Sequence, residues 1–421
     1  MRIVVQGLWH LGCVTAACCA QHHQVLGLDF DKVVVAGLEK GKAPLFEPGL
    51  DDLIADGLRR GSLTFSTSAQ KACANANLLW VCYDTPVDEN DESDISFVLN
   101  NLKRSAACLP AGATVLVSSQ LRVGTCRQLE LEFPKLHFAY SPENLRLGKA
   151  IEAFTKADRV ILGHRENGPV EMLQELFAPF TPQVILMRTE SAEMVKHALN
   201  SFLALSVTFI NEVARLCEHT GANAREVAAG LKSDVRIGPR AYLGPGGPFA
   251  GGTLARDVVT LINLGRETHQ EVPLIEAIKQ SNDQHRLWNL RRLQDRLGNL
   301  QGKVVAVLGL TYKPGTDTLR RSASVELCKD LVSAGALVRV MDPAVKGLPP
   351  ELSALNLVSN PLEAMTEADA VVVSTEWPEF RQLAWPELAK VMRGRLVLDA
   401  NGFLRNELKG LAPLEHLSVG S

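Results

Sequence analysis

Short apolar runs alternate with amphipathic stretches along most of the chain, and glycine or acidic residues punctuate the runs. Ile3-Val4-Val5 ends in Gln6-Gly7, a helical stretch over 11–21 follows, and a second apolar run at 24–28 ends at Asp29. Strand, glycine turn, helix, strand and acidic residue make the opening βαβ of a doubly wound sheet. Further apolar runs at 78–82, 114–117, 137–139 and 160–162, with helical segments between most of them, extend this into one α/β domain.

From Ser191 to Gly221 the pattern changes. Leu203, Val207, Ile210, Val213, Ala214 and Cys217 recur at three- and four-residue steps with no Gly or Pro among them before Gly221, which predicts a long helix with one apolar face. Residues 238–252 are rich in Gly and Pro and predict a loop. A second helical stretch covers 259–297, with Pro273 marking a break or kink. Near Gly302 the alternation restarts, and 304–308, 337–341, 370–374 and 396–399 read as strands of a second α/β domain. The expected architecture is α/β, with two Rossmann-like doubly wound parallel-sheet domains joined by a long helical connector. Its bounds are 1–187, 188–300 and 301–421.

Bulk composition narrows this picture without identifying a ligand. A chain of 421 residues with 46% apolar and 22% charged side chains is neither disordered, collagenous nor coiled-coil. Forty-four basic against 47 acidic side chains give a net charge of −3, which favours neither nucleic acid nor an anionic membrane. No run approaches the ~18 apolar residues of a membrane span. The stretch after Met1-Arg2 is interrupted by Gln6, Trp9 and His10, so it reads as strand, turn and helix start rather than as a signal peptide. Nine cysteines, an odd number without C-x-x-C or zinc-like Cys/His spacing, suggest reduced thiols in a cytoplasmic protein and no metal site.

Three segments carry candidate chemistry. The turn Gly7-Leu8-Trp9-His10-Leu11-Gly12 has two of the three glycines of a dinucleotide fingerprint, which serve the tight turn and the helix–strand packing. Trp9 stands where the second glycine belongs and crowds the pyrophosphate path unless its side chain swings aside. Asp29 lies at the end of the second strand, where a carboxylate binds ribose hydroxyls and repels a 2′-phosphate, favouring NAD over NADP. Taken alone, the turn also fits a plain βαβ connection. Lys196 and Asn200 are four apart on one helix face, where such a pair can stabilise an oxyanion or polarise a hydroxyl. The glycines of 244–252 let backbone approach a ligand closely. Lys313 and Arg320 follow a strand of the second domain, at the end where nucleotides bind in open sheets.

Several ordered segments together resemble the UDP-glucose/GDP-mannose dehydrogenase family over nearly the whole chain. They are Val81-Cys82-Tyr83-Asp84-Thr85-Pro86, Ser141-Pro142-Glu143-Asn144-Leu145-Arg146, the stretch from Glu193 to Asn200, Arg236-Ile237-Gly238, the stretch from Lys313 to Arg320, and Thr375-Glu376-Trp377-Pro378-Glu379-Phe380. The resemblance implies an NAD-binding first domain, a nucleotide-sugar-binding last domain and a role in polysaccharide biosynthesis. In that family a sugar C6 alcohol is oxidised to an aldehyde, trapped by a cysteine as a thioester after a second oxidation, and hydrolysed to the acid. Carried over by position, Lys196 and Asn200 steady the oxyanion at C6, Asp257 orders a water or assists proton transfer, and Glu143 is an acid/base or substrate contact. Gly7, Trp9, His10, Leu11, Gly12, Asp29, Thr85, Pro86 and Ser119 fall at cofactor positions. Asn144, Leu145, Arg236, Phe249, Gly251, Lys313 and Arg320 fall at substrate positions. Arg236 matches an arginine that reaches the neighbouring subunit's substrate, which implies a homodimer through the central helices. UDP is the nucleotide the family suggests, with GDP or another base open.

The chain departs from the family where the chemistry is most demanding. Thr253 occupies the position of the nucleophilic cysteine and Arg256 that of a lysine. A threonine hydroxyl is a far poorer nucleophile than a thiolate and needs an adjacent base. The family's Ser-Thr-Val-Pro-x-Gly segment is Ser119-Gln120-Leu121-Arg122-Val123-Gly124, which with Trp9 suggests a remodelled cofactor and reaction pocket. Removing a hydride from an alcohol needs an aligned nicotinamide and a proton acceptor, not a thiol. The expectation is therefore oxidation that stops at the carbonyl. Full oxidation to a uronic acid without a covalent intermediate, and a catalytically silent nucleotide-sugar binder, are the alternatives.

Overall fold

The computed structural model describes residues 1–86, 94–143, 145, 147–250 and 253–421. The chain divides into two compact units, Met1–Leu199 and Asn200–Ser421. The first is built on eight strands: β1 (Arg2–Gln6), β2 (Gln24–Leu28), β3 (Leu63–Ser66), β4 (Leu78–Val81), β5 (Thr114–Val117), β6 (His137–Tyr140), β7 (Val160–His164) and β8 (Val184–Arg188). Their order is β3-β2-β1-β4-β5-β6-β7-β8. Every pair is parallel except β6 with β7, which meet antiparallel at Tyr140 and Gly163.

The chain winds outward from β1 to β3 and then crosses to β4 on the other side of β1. The carboxyl ends of β1 and β4 thus form the topological switch point where ligands bind in such sheets. β1, β4 and β5 read as continuous apolar runs because helices cover both faces, as the two core clusters show: Val14, Leu116 and Phe177 pack on one side, and Leu79, Leu102 and Val117 on the other. β3 (Leu-Thr-Phe-Ser) alternates apolar and polar residues and escapes the apolar-run pattern, whereas Val184-Ile185-Leu186-Met187 of β8 is an apolar run although the strand lies at a sheet edge and is only partly buried.

The long helix spans Thr189–Thr220 and contributes residues to both units. In the second unit it is followed by helices Ala224–Ser233, Thr253–Glu267, Pro273–Arg286 and Trp288–Leu297. The single helical stretch expected over 259–297 is in fact three helices. Pro273 starts one of them at its first turn, where its missing N–H is no loss, rather than kinking a longer one. Helix also begins at Thr253, so Thr253 and Asp257 share one helix, a turn apart.

The second sheet comprises β9 (Val304–Leu308), β10 (Leu337–Met341), β11 (Asn356–Leu357), β12 (Ala370–Val373), β13 (Leu396–Asp399) and β14 (Glu415–Leu417). All are parallel, in the order β11-β10-β9-β12-β13-β14. The short edge strands β11 and β14 are again the ones the apolar pattern leaves out. Two parallel-dominated sheets flanked by helices match the expected fold class. Among the described residues no helix is long and apolar enough to cross a membrane.

Candidate active site

The glycine turn after β1 is built so that only glycine fits. Gly7 has φ +92°, and a Cβ there would lie 2.8 Å from Tyr83; a Cβ on Gly12 would lie 1.8 Å from the Gly7 carbonyl oxygen. The helix His10–Cys19 starts directly from this turn, at the carboxyl end of β1, with no side-chain cap among the described residues. Asp29 holds the turn: its carboxylate accepts the Leu8 N–H (2.7 Å) and the Asp31 N–H (2.9 Å). Trp9 leaves its side chain 47% exposed, turned to solvent rather than packed into the turn. His10 Nε2 meets Glu47 (2.9 Å), whose carboxylate also accepts the N–H groups of Gly148 and Ala150. Burial opposes the charge on Glu47, but these donors outweigh it and hold the carboxyl below its ordinary range. Leu11 is buried in the core below the turn.

The other cofactor positions lie at the carboxyl ends of neighbouring strands. Thr85 follows β4 and donates to the Gln120 carbonyl (2.8 Å), Pro86 is exposed beside it, and Ser119 is buried after β5. The Ser119–Gly124 segment is fastened to the long helix by two side chains that sequence patterns do not single out. His197 Nε2 donates to the Leu121 carbonyl (2.9 Å), and Glu193 accepts the N–H groups of Gly124 (2.6 Å) and Cys126 (3.0 Å). Burial keeps the Glu193 carboxyl above its ordinary range despite those bonds. Both residues lie inside the Glu193–Asn200 stretch, but their partners are some 70 residues away and leave no local trace. A cradle that admits only glycine, a helix start at the switch point and a strand-end carboxylate together fit a dinucleotide.

Lys196 is buried in the first unit and donates to the Glu143 carbonyl (2.5 Å), with its Nζ 4.0 Å from Glu143 Oε2. Glu143 follows β6 and accepts the Leu145 N–H through Oε1 (3.0 Å). In the second unit Asn200 Nδ2 donates to Asp257 Oδ2 at 2.5 Å, and Asp257 is fully buried. Thr253, a turn earlier on the Asp257 helix, is exposed. Arg236 projects into solvent and pairs with Asp234 (2.7 Å), while Phe249 is half-buried. His285, not anticipated from sequence, donates from Nε2 to the Gly246 carbonyl (2.7 Å). Burial lowers its imidazole from near 6.5 to about 4, with Arg215 and Arg291 adding to the effect. Asn144 and Gly251 lie outside the described residues.

Lys313 and Arg320 sit in the loop after β9, Lys313 half-buried and Arg320 exposed. This loop repeats the turn of the first unit: Gly309 has φ +90° and its Cβ would strike Thr375, while Asp342, after β10, accepts the N–H groups of Leu310 and Ala344. Here, however, Asp342 also accepts from the Thr311 N–H, the Thr311 hydroxyl and the Trp377 indole. The strand-end carboxylate is therefore sealed by protein donors in the second sheet. In the first sheet, Asp29 accepts two backbone N–H groups among the described residues, which leaves acceptor capacity on its carboxylate.

A glycine-cradled switch point with a strand-end carboxylate marks the first unit as a dinucleotide-binding domain. Models of the UDP-glucose/GDP-mannose dehydrogenase family match its NAD binding domain at residues 1–181, its central domain at 190–284 and its UDP binding domain at 306–406. The UDP-glucose 6-dehydrogenase of Rhizobium meliloti (strain 1021) is 33% identical over 100% of this chain and 99% of its own. That of Pseudomonas aeruginosa is 35% identical over 95% and 93%. The structure of a UDP-glucose dehydrogenase from the hyperthermophilic archaeon Pyrobaculum islandicum superposes with a TM-score of 0.87 at 29% identity, covering 100% of this chain and 97% of that one. The chain belongs to the UDP-glucose/GDP-mannose dehydrogenase family and is an NAD-dependent nucleotide-sugar oxidoreductase.

Two outcomes test this geometry. Gly12→Ala forces the Gly7 carbonyl to move, so NAD affinity measured by calorimetry falls about tenfold or more; unchanged affinity contradicts the cradle. His285 is neutral in both folded and unfolded chains above pH 6.5. As pH falls from 6.5 toward 4, only the unfolded chain takes up the proton, so stability erodes by up to about 3 kcal/mol. Urea midpoints measured between pH 7 and 4.5 therefore fall more steeply for the unmodified chain than for His285→Gln.

Proposed function

We propose that the protein oxidises a hydroxyl of a UDP-sugar, at C6, and stops at the carbonyl. The observation that carries this reading is the buried Asn200–Asp257 hydrogen bond (2.5 Å) retained on a helix that begins with Thr253 instead of cysteine. A site losing all chemistry has no need to keep a fully buried aspartate, whose desolvation is costly unless it is matched. In this reading residues 1–187 bind NAD, 188–300 connect and dimerise, and 301–421 hold the nucleotide.

NAD, when bound, supplies the hydride acceptor. Lys196 donates to the substrate oxygen as its proton leaves, and Asn200, oriented by Asp257, gives that oxygen a second donor. Asp257 or Glu143 accepts the proton. One alcohol thus loses one hydride and one proton and becomes an aldehyde. Thr253 has no thiolate to trap that aldehyde, so no thioester forms. The nucleotide is met by Lys313 and Arg320 after β9, and the sugar by Asn144, Leu145, Phe249 and Gly251.

The homodimer is supported by the long helix itself. Phe202, Phe209 and Leu216 recur every seven residues and are 65%, 48% and 67% exposed, an apolar stripe that a second copy of the helix can cover. Arg236 stands between exposed Val235 and Ile237, an exposed position compatible with the proposed reach into a partner's substrate. All nine cysteines are free, which suits the reducing cytoplasm, where a product of this class feeds polysaccharide biosynthesis.

Full oxidation to a uronic acid is the second reading. It is favoured if the hydrated aldehyde loses another hydride to a second NAD with Asp257 or Glu143 as base.

Incubating the protein with UDP-sugars and NAD is expected to yield one NADH per product molecule, with an aldehyde mass. Two NADH and an acid establish the second reading, and tight UDP-sugar binding without turnover establishes a silent binder. Thr253→Cys is expected to restore acid formation through a covalent intermediate visible by mass spectrometry. Its absence means that the pocket differs from the family's by more than its nucleophile.

A further inference from the structure

The loop ahead of Thr253 has its backbone written by side chains. Gly246 N–H donates to Asn211 Oδ1 (3.0 Å), and the Gly246 carbonyl accepts from His285 Nε2 (2.7 Å). Gly247 N–H donates to Asn401 Oδ1 (2.7 Å), and its carbonyl accepts from Asn211 Nδ2 (3.3 Å). Phe249 N–H and C=O are both taken by the one side chain of Asn282, at 3.0 and 2.9 Å. All six polar groups of these three peptide residues are matched, by residues from the long helix, from helix Pro273–Arg286 and from the turn after β13.

This arrangement decides the loop's path. A Gly-Pro-rich segment has little conformational preference beyond its prolines, whereas an unmatched buried peptide group is strongly disfavoured. Asn211, Asn282 and His285 are themselves buried, so they have few alternative partners. Arg215 Nη1 donates to His285 Nδ1 (3.1 Å), which leaves the ring's single proton on Nε2, facing the Gly246 carbonyl. A Cβ at Gly246 would lie 2.2 Å from Asn401 Oδ1, so the fit is also steric.

We infer that Asn282 and His285 are positioning residues for nucleotide-sugar capture, holding residues 246–249 in the shape that receives the substrate before it arrives. The inference rests on the reading above that this loop meets the nucleotide sugar. Pre-ordering a loop removes its ordering cost from binding. Asp257 is held separately by Asn200 on the long helix. Losing the clamp therefore weakens substrate binding more than it slows the saturated enzyme.

The test uses the full chain, with UDP-glucose as the probe, or GDP-mannose if the unmodified chain prefers it, and calorimetry as the readout. His285→Ala and Asn282→Ala are expected to raise the dissociation constant and KM for the nucleotide sugar about tenfold or more, with kcat changed less and NAD affinity unchanged. His285→Gln, which keeps a donor for the Gly246 carbonyl, is expected to recover most of the affinity. Unchanged nucleotide-sugar affinity in both alanine variants overturns the inference. An equal loss of NAD affinity also overturns it, because the residues then serve stability alone. If the unmodified chain binds neither probe, the substrate reading itself falls, which is a different result.

Discussion

A carboxylate removed from water has to be met by N–H donors, and in this protein that requirement fixes most of the functional turns. Asp257 is fully buried and meets Asn200, Glu193 meets the amides of Gly124 and Cys126, and Glu47 meets Gly148, Ala150 and His10. An unmatched buried charge costs several kcal/mol, so each pairing ties two distant chain segments together. The carboxylates act as fasteners first. The strand-end loops take their shape from where those fasteners lie.

The two sheets use one turn for two purposes. After β1 and after β9 a glycine with positive φ packs against the next strand's end, and a strand-end aspartate accepts the following N–H. Asp29 then retains room for further donors, while Asp342 is closed by Thr311 and Trp377. The same backbone device therefore leaves acceptor capacity on the carboxylate of the first unit and fills that of the second with protein donors.

Much of the fold was legible because central parallel strands are covered on both faces and become solid apolar runs. β1, β4, β5, β9 and β12 show this directly. The edge strands β3, β11 and β14 are partly exposed or very short and carry no such mark, while β8 carries an apolar run, 184–187, although it lies at an edge. Pro273 reads in the sequence as a break or a kink, because periodicity alone does not separate a kink from a new first turn, and the structure has the break. In the site, Lys196, Asn200, Asp257 and Glu143 stood out by residue type and order. Glu193, His197, Asn211, Asn282 and His285 did not, since each acts on a peptide group far away in sequence.

By itself the sequence determined the repeated βαβ pattern, the turn glycines, and the lysine, asparagine and aspartate on which the proposed reaction rests, with threonine at 253. These follow from local periodicity, backbone sterics and residue chemistry, all of which act over a few residues. The tertiary structure alone decided that Trp9 turns outward, that Asp29 stays open where Asp342 is sealed, and that the loop before Thr253 is held by asparagines and a histidine. The last two outcomes depend on hydrogen bonds that join residues as far as 154 apart, such as Gly246 with His285 and Gly247 with Asn401. Only packing brings such residues within reach, and no short-range pattern in the chain encodes it.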